Sequence, residues 1–157
     1  MSVKKYQKLL EPFQIGRVKI RNRIMKTGAG TSFIEENGQV GDRMIGFYEA
    51  LAKGGVGLVT VESTGVDFPT GIHHPSVQLH FENDSYLPGF QKLVDAVHEH
   101  DCPVFLQLFH SGPWHPQSWS GVQPIAASAL PKSELPHPHL DEPRSVNKEE
   151  IQELVEK

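Results

Sequence analysis

Residues 102–115 read C-P-V-F-L-Q-L-F-H-S-G-P-W-H, and the fold of the whole chain turns on this stretch. From Pro103 to Phe109 it is apolar almost throughout, with Gln107 as the interruption. That is how a strand buried on both faces reads, as in a parallel sheet flanked by helices. One amide inside such a strand is costly unless something satisfies it. The strand runs straight into a turn holding His110, Ser111, Gly112, Pro113, Trp114 and His115. Polar groups at the C-terminal end of a buried parallel strand are where α/β barrels and doubly wound sheets place their sites. A plainer reading is a core strand whose glutamine pairs with a neighbouring backbone and whose histidines are ordinary loop residues. The segment by itself leaves both open.

Working upstream, a second helix is expected to begin at a cap on Asp84 or Ser85, with Leu87, Phe90, Leu93, Val94 and Val97 as its buried stripe. His98 and His100 close it, where positive charge is favourable. Residues 66–83 read as a polar loop containing Pro69, Gly71, His73, His74 and Pro75. Before them, residues 56–61 form another buried strand, ending in Glu62-Ser63-Thr64-Gly65. Glu62 reads either as a catalytic carboxylate or as an orienting or salt-bridged group. The first amphipathic helix spans residues 42–53, with Met44, Ile45, Tyr48, Leu51 and Ala52 on one side and Gly54-Gly55 stopping it. Further upstream, residues 9–20 carry two short alternating segments joined by Gly16-Arg17, a hairpin with a two-residue turn. A brief strand over residues 24–27 then leads into Gly28-Ala29-Gly30. Two glycines beyond a strand let a backbone approach a ligand closely. They are no dinucleotide fingerprint, because Phe33 stands where a third glycine would be and no helix follows directly.

Downstream, residues 111–146 form a long loop rich in proline, serine and histidine. A loop of that length in a compact domain is usually functional or disordered. His137 and His139 resemble a two-ligand metal clip without a suitably spaced third ligand, so no metal is expected. Asn147 and Glu150 make a capping box for a last helix whose apolar face holds Ile151, Leu154 and Val155.

Composition narrows the function classes. A net charge of −4 over 157 residues, with no basic run, gives no nucleic-acid surface. The longest apolar runs are strand-sized, too short for a membrane span. The N-terminus lacks the pattern of a signal peptide, and the lone Cys102 fits a reducing compartment, so a cytoplasmic location is expected. Cys102 itself reads as structural. Strand, helix, strand, helix, strand is the order of three βα units, which argues for a parallel sheet with right-handed crossovers. A complete barrel has eight βα units and on the order of 250 residues or more, so the three units read here supply less than half of one.

The order of the hairpin, N-R-I-M-K-T-G-A-G, G-V-G-L-V-T-V-E-S, F-L-Q-L-F-H-S-G, P-I-A-A-S-A-L-P and N-K-E-E-I is similar to that of the Old Yellow Enzyme family over nearly the whole chain. This family of FMN-dependent NAD(P)H oxidoreductases includes relatives of 2,4-dienoyl-CoA reductase and trimethylamine dehydrogenase. The resemblance implies a TIM (β/α)8 barrel, represented here by roughly its first three βα units. Residues 1–22 would be a hairpin plugging its bottom, and 111–146 a long loop. It implies FMN as cofactor and NADH or NADPH as electron donor. Thr27, Gly28, Ala29 and Gly30 would line the flavin, and Ser63 would contact its polar edge. Gln107 would pair with the pyrimidine edge, an amide offering both a donor and an acceptor. His110 and Gly112 match the family's H-x-G and place His110 on the substrate side; the arginine common next in the family is Pro113 here. The family often has Pro and Met at positions 28 and 29 and Thr or Cys at 30, so Gly30 removes a side chain that tunes the ring. Ser32 falls where some members place a substrate-contacting tyrosine.

The implied chemistry is hydride transfer through FMN to an activated alkene, by a protein that is a homo-oligomer when full length. The family's carbonyl-binding His-x-x-His or His-x-x-Asn pair and its phosphate loops would lie downstream of Lys157, so no catalytic residue is assigned within 1–157. The chain alone is therefore expected not to turn over. Two other classes remain: a naturally short half-barrel serving as an assembly or binding partner, its strand edges demanding pairing, and a metal-dependent barrel hydrolase using the loop histidines.

Overall fold

The computed structural model describes residues 3–74 and 78–157; Pro75, named above in the polar loop, lies outside the described residues. A short N-terminal helix, α1 (Gln7–Leu10), precedes the hairpin of β1 (Phe13–Ile15) and β2 (Val18–Ile20). Ile15 faces Val18 across the expected two-residue turn, and Gly16 supplies its positive φ of 57°. The chain continues through β3 (Met25–Lys26), α2 (Asp42–Lys53), β4 (Leu58–Gly65), β5 (Leu79–His80), α3 (Leu87–His98) and β6 (Val104–Phe109). Then come α4 (Gln117–Ser120), the small parallel pair β7 (Ile125–Ala126) and β8 (Arg144–Ser145), and α5 (Lys148–Glu156).

β4 is the centre of a parallel sheet. Val59 pairs with both Lys26 and Val104, and Thr64 with both Leu79 and Leu108. β3 and β5 therefore share one edge of β4, and β6 takes the other. Helices α2 and α3 cover one face of this sheet. Met44, Tyr48 and Ala52 from α2 meet Phe90, Leu93 and Val97 from α3 over Val59, Val61 and Leu79, all buried in a single core. Aromatic edges close it, with Phe81 meeting Phe90 at 5.0 Å and Phe33 meeting Phe47 at 5.6 Å. No helix among the described residues is long and apolar enough to cross a membrane.

Several boundaries move, each for a physical reason. β4 runs on through Glu62, Ser63 and Thr64 because its ladder to β6 continues past a register shift between Val61 and Thr64. The 66–83 segment is not wholly loop, since β5 adds to the sheet edge. Neither Asp84 nor Ser85 is the cap: Asn83 accepts from the Ser85 N–H at 2.9 Å and starts a tight turn, so α3 begins only at Leu87. Leu87 is consequently exposed and leaves the stripe to Phe90, Leu93 and Val97. β6 is not buried on both faces: Gln107 and Leu108 are exposed, Leu108 by 64%. It is an edge strand here, with β4 as its partner. The 111–146 stretch is organised by α4 and by β7 pairing with β8. The capping box of α5 forms as read, Asn147 accepting from Glu150 N–H and Glu150 reaching back to Asn147 N–H.

Candidate functional site

The residues singled out in sequence gather at the C-terminal ends of β3, β4 and β6, the end at which parallel sheets carry their sites. Thr27, Gly28, Ala29 and Gly30 leave β3; Ser63 sits near the end of β4; Gln107 and His110 end β6. The loop after β3 reaches across to β6. A Cβ placed on Gly28 would collide with Gln107 Oε1 and stand 2.8 Å from its Cδ, so glycine is what lets the two meet. The Gln107 side chain is exposed, and its amide hydrogen-bonds to nothing among the described residues. Around Gly30 there is open space, and a Cβ added there would meet nothing within 4 Å. Thr27, Ala29 and Gly30 are exposed, while Ser63 is half-buried.

Beneath this surface the loop is tied down by a buried polar knot. Glu62, 1% exposed, accepts from the Thr31 N–H through both carboxylate oxygens at 3.0 Å and from the Tyr48 hydroxyl at 3.1 Å. The register shift in β4 frees the Glu62 N–H, which donates back to the Tyr48 oxygen at 3.0 Å. Lys26 Nζ donates to Tyr48 at 3.3 Å and to the Ala29 carbonyl at 3.1 Å. Burial, reinforced by the Glu62 charge, pushes the Tyr48 phenol well above its ordinary range. Burial pulls Lys26 down, with Glu62 opposing. The Glu62 carboxylate thus holds the backbone at Thr31 and the Tyr48 hydroxyl from within the buried layer. Ser32, just beyond, takes a positive φ of 56°.

His110 is held by its own loop. Its Nδ1 accepts the Gly112 N–H at 3.0 Å, which places the ring proton on Nε2, 3.7 Å from Asp67 Oδ2. Asp67, on the segment after β4, also accepts from Thr70 and Lys157. The His110 contact first, then Lys157 and Thr70, hold its carboxyl far below the usual carboxylate range against the opposing effect of burial. His110 Nδ1 is therefore hydrogen-bonded within its own loop, while the buried Nε2 has only the 3.7 Å approach of Asp67. Cys102 is buried, and burial pushes its thiol up, as a structural cysteine requires. His137 stacks on His139 at 5.3 Å and lies against Trp114 at 5.2 Å. Among the described residues no group of three or more His, Cys, Asp or Glu could hold a metal ion.

Sequence reading passes over Lys26, Tyr48 and Asp67. Tyr48 sits on the apolar stripe of a helix, where its ring alone explains its presence, and only the burial of Glu62 beside it reveals the work of the hydroxyl.

Parallel βα units that converge polar residues on one end of the sheet define part of a (β/α)8 barrel with its site at the strand C-termini. The comparisons with known proteins make the assignment specific. The chain belongs to the NADH:flavin oxidoreductase / NADH oxidase family, matched over residues 8–157. It is 37% identical over 153 residues to an NADH oxidase of Thermoanaerobacter brockii, covering 97% of this chain and 23% of that protein. It is 32% identical to an NADPH dehydrogenase of Bacillus cytotoxicus, covering 94% of this chain and 40% of the relative. Among solved structures, the Old Yellow Enzyme homologue from Zymomonas mobilis superposes with a TM-score of 0.81 at 25% identity, over 95% of this chain and 42% of that one. Morphinone reductase in complex with tetrahydroNAD superposes with a TM-score of 0.78 at 26% identity, over 94% and 43%. The fold is that of an Old Yellow Enzyme TIM barrel, of which this chain carries the N-terminal part. FMN, with NADH or NADPH as electron donor, serves this family. The exposed, unpartnered amide of Gln107 against the backbone of Gly28 fits a planar ring with alternating donors and acceptors on its edge.

Proposed function

We propose that this chain is the N-terminal portion of an FMN-dependent NAD(P)H oxidoreductase of the ene-reductase type, and that it contributes the pyrimidine-side half of the flavin pocket. The observation that carries the reading is the meeting of Gly28 with Gln107 over the end of β4, which brings together two segments implied for the flavin from 79 residues apart (107 − 28). When bound, FMN supplies the redox chemistry, taking a hydride from NADH or NADPH and passing it to an activated C=C bond. The chain's own residues hold and orient it. Gln107 offers an N–H and a carbonyl to the ring edge, and the exposed backbone of 27–30 lies alongside. Ser63 adds a small polar contact from β4. Glu62, Tyr48 and Lys26 keep that backbone in place without touching the ring. His110 serves the substrate side by exchanging its Asp67 contact for a substrate acceptor, Nε2–H being the donor. The 1–22 hairpin closes the bottom of the barrel, the full-length protein is a cytoplasmic homo-oligomer, and the carbonyl-binding pair comes from beyond Lys157.

Absorbance and flavin release on the purified full-length protein test this. Wild type is expected to carry stoichiometric FMN, and Gln107→Leu to lose most of it while staying folded. Full flavin content in both Gln107→Leu and Gly28→Val would overturn the assignment. The 157-residue chain alone is expected not to sustain NAD(P)H oxidation, and robust turnover would refute that part. A second reading, a half-barrel that acts as a binding partner, is favoured by the open outer edge of β6 and its exposed Leu108. A monodisperse monomer of this chain in solution would count against it.

A further inference from the structure

Between the 27–31 loop and α2 the chain folds back on itself. Ile34 bridges Val40 in an antiparallel pair, and the Glu35 N–H donates to the Gln39 carbonyl at 3.0 Å. Val40 seats the base of this turn on α3, where a Cβ on Gly89 would stand 3.1 Å from it. The tip is Asn37-Gly38, with positive φ of 60° and 76°. Glu35, Glu36 and Asn37 are exposed, whereas Gly38 is buried against His80, and a Cβ there would strike the ring at Cγ and Cδ2. No backbone hydrogen bond among the described residues ties Asn37 or Gly38 to β5, so packing on the imidazole holds the tip.

The ring is fixed from its other side. The Tyr86 hydroxyl gives its proton to Glu82 Oε1 at 2.9 Å. His80 Nδ1 faces that hydroxyl oxygen at 3.5 Å and the same carboxylate at 3.7 Å, so Nδ1 carries the ring hydrogen. Nε2, bonded to the Cδ2 that Gly38 covers, is buried with no partner among the described residues. A second proton on the ring would go there, as a buried N–H without an acceptor. No other neighbour supplies one. Glu35 lies over Gly41, Glu36 is exposed, Phe68 at 5.2 Å is uncharged, Asp67 beside it is taken by Thr70 and Lys157, and β4 brings Gly65. Burial lowers the ring's pKa, with Glu82 opposing, so the covered ring is neutral. A cavity of about 640 Å³, walled in part by Glu36, Asn37 and Phe68, leaves the tip room to move without disturbing the core.

We propose that residues 34–40 form an acid-sensitive flap, closed over His80 at neutral pH and lifted at its tip when Nε2 takes a proton. Lifting Gly38 gives the new N–H to water, while Glu82 and Tyr86 still hold Nδ1. The uncovered ring, beside Glu82, takes its proton at or above the ordinary 6.5, and the covered ring only at lower pH. The closed form is therefore fully favoured above that range. As pH falls below 6.5 its ratio to the open form drops by up to about tenfold per pH unit, until the covered ring itself titrates.

NMR of the purified protein tests this, with a neutral gadolinium chelate reporting the solvent exposure of each amide. Between pH 7.5 and 5.5, relaxation of the Asn37, Gly38 and Gln39 amides is expected to rise severalfold, following the titration of the His80 ring carbons. The core amides of Leu93 and Val97 should not change. Gly38→Ala sets a methyl against the ring, so its tip should stand open at pH 7.5 and its His80 midpoint move up towards 6.5. His80→Gln, which cannot take the proton, should leave exposure at 37–39 independent of pH. Should that core substitution fail to fold, the wild-type and Gly38→Ala titrations decide by themselves. The proposal is overturned by a His80 titration without gain of exposure at 37–39, or by no His80 titration above pH 4.5. A Gly38→Ala midpoint equal to wild type, or pH-dependent exposure that persists in His80→Gln, would overturn it as well. None of these readouts involves flavin, so the flavin assignment stands or falls separately.

Discussion

The two ends of the same three strands are built to opposite rules. At the N-terminal end the side chains of Arg21 and Asn22 close off backbone carbonyls of both crossovers. Arg21 donates to the carbonyls of Val56 at 3.1 Å, His100 at 2.9 Å and Ala52 at 2.5 Å, tying both βα crossovers to the chain that enters β3. Asn22 donates to the Gly55 carbonyl at 2.8 Å and accepts from the Ile24 N–H at 3.0 Å. Gly57 packs so tightly there that a Cβ would stand 2.7 Å from Asn22 Oδ1. At the C-terminal end the loop backbones are exposed, Gln107 has a free amide, and the ties sit one layer below, on Glu62 and Tyr48. Stability is concentrated where nothing needs to bind, and the exposed polar groups are kept where something does. Substitutions at the two ends should therefore separate loss of fold from loss of flavin.

The largest effect is expected at the closed end. Arg21→Ala removes three charge-assisted hydrogen bonds and uncovers the carbonyls at the end of α2, a loss of about 3 kcal/mol. Chemical denaturation of the purified protein measures it, and the fraction that remains folded should hold flavin as wild type does. A drop in flavin affinity with unchanged stability would erase the division between the two ends. Tyr48→Phe comes next, at about 2 kcal/mol, because it strips buried Glu62 of a donor and the Glu62 N–H of its acceptor. It lies between the ends in kind as well as size. The 29–31 backbone loosens with it, so amide exchange at Thr31 should quicken by more than the global loss explains. Gln107→Leu, at the open end, should leave the denaturation midpoint within error and weaken flavin binding about tenfold, the cost of one unmade amide pair.

Much of this division is legible in the sequence, but unevenly. β4 and β6 carry the same kind of apolar run, and both read as strands buried on two faces. β4 is, with six of its eight residues buried, while β6 leaves Gln107 and Leu108 open. Hydrophobic pattern records which faces a strand can bury; it does not say which partners are at hand. Gly16, Gly54-Gly55 and the Asn147–Glu150 box are readable because each depends on a few adjacent residues. The α3 start is misplaced in the sequence reading because Asn83 competes for the same turn by capping two residues ahead. The flavin half-site comes through the resemblance, which supplies the roles of Gly28 and Gln107 but not their contact. Arg21, Tyr48 and Asp67 stay hidden because their partners lie 14 to 90 residues away, and no local pattern encodes such pairs.

The smallest effect expected lies on the open side, where α5 adjoins the end of β6 around Leu108, Phe109, Leu154 and Val155. Arg144 reaches Glu150 with Nη1 to Oε2 at 2.8 Å and Nη2 to Oε1 at 2.5 Å, and Glu150 also closes the capping box. The Arg144 guanidinium first, and the Asn147 N–H second, draw the Glu150 carboxyl down to about 2. A carboxyl depressed in the fold contributes fully above its ordinary value of ~4.3 and loses that contribution as pH falls through the folded value. The capping box should thus persist at pH 3.5 and fail near pH 2. Following the Glu150 side-chain carbon by NMR against pH reads it directly, and Arg144→Gln should move the midpoint up towards 4 with little change in global stability. A wild-type midpoint already near 4 would mean that the pair is not formed in solution, and that α5 is held to the open side by its apolar face and the Lys157–Asp67 contact.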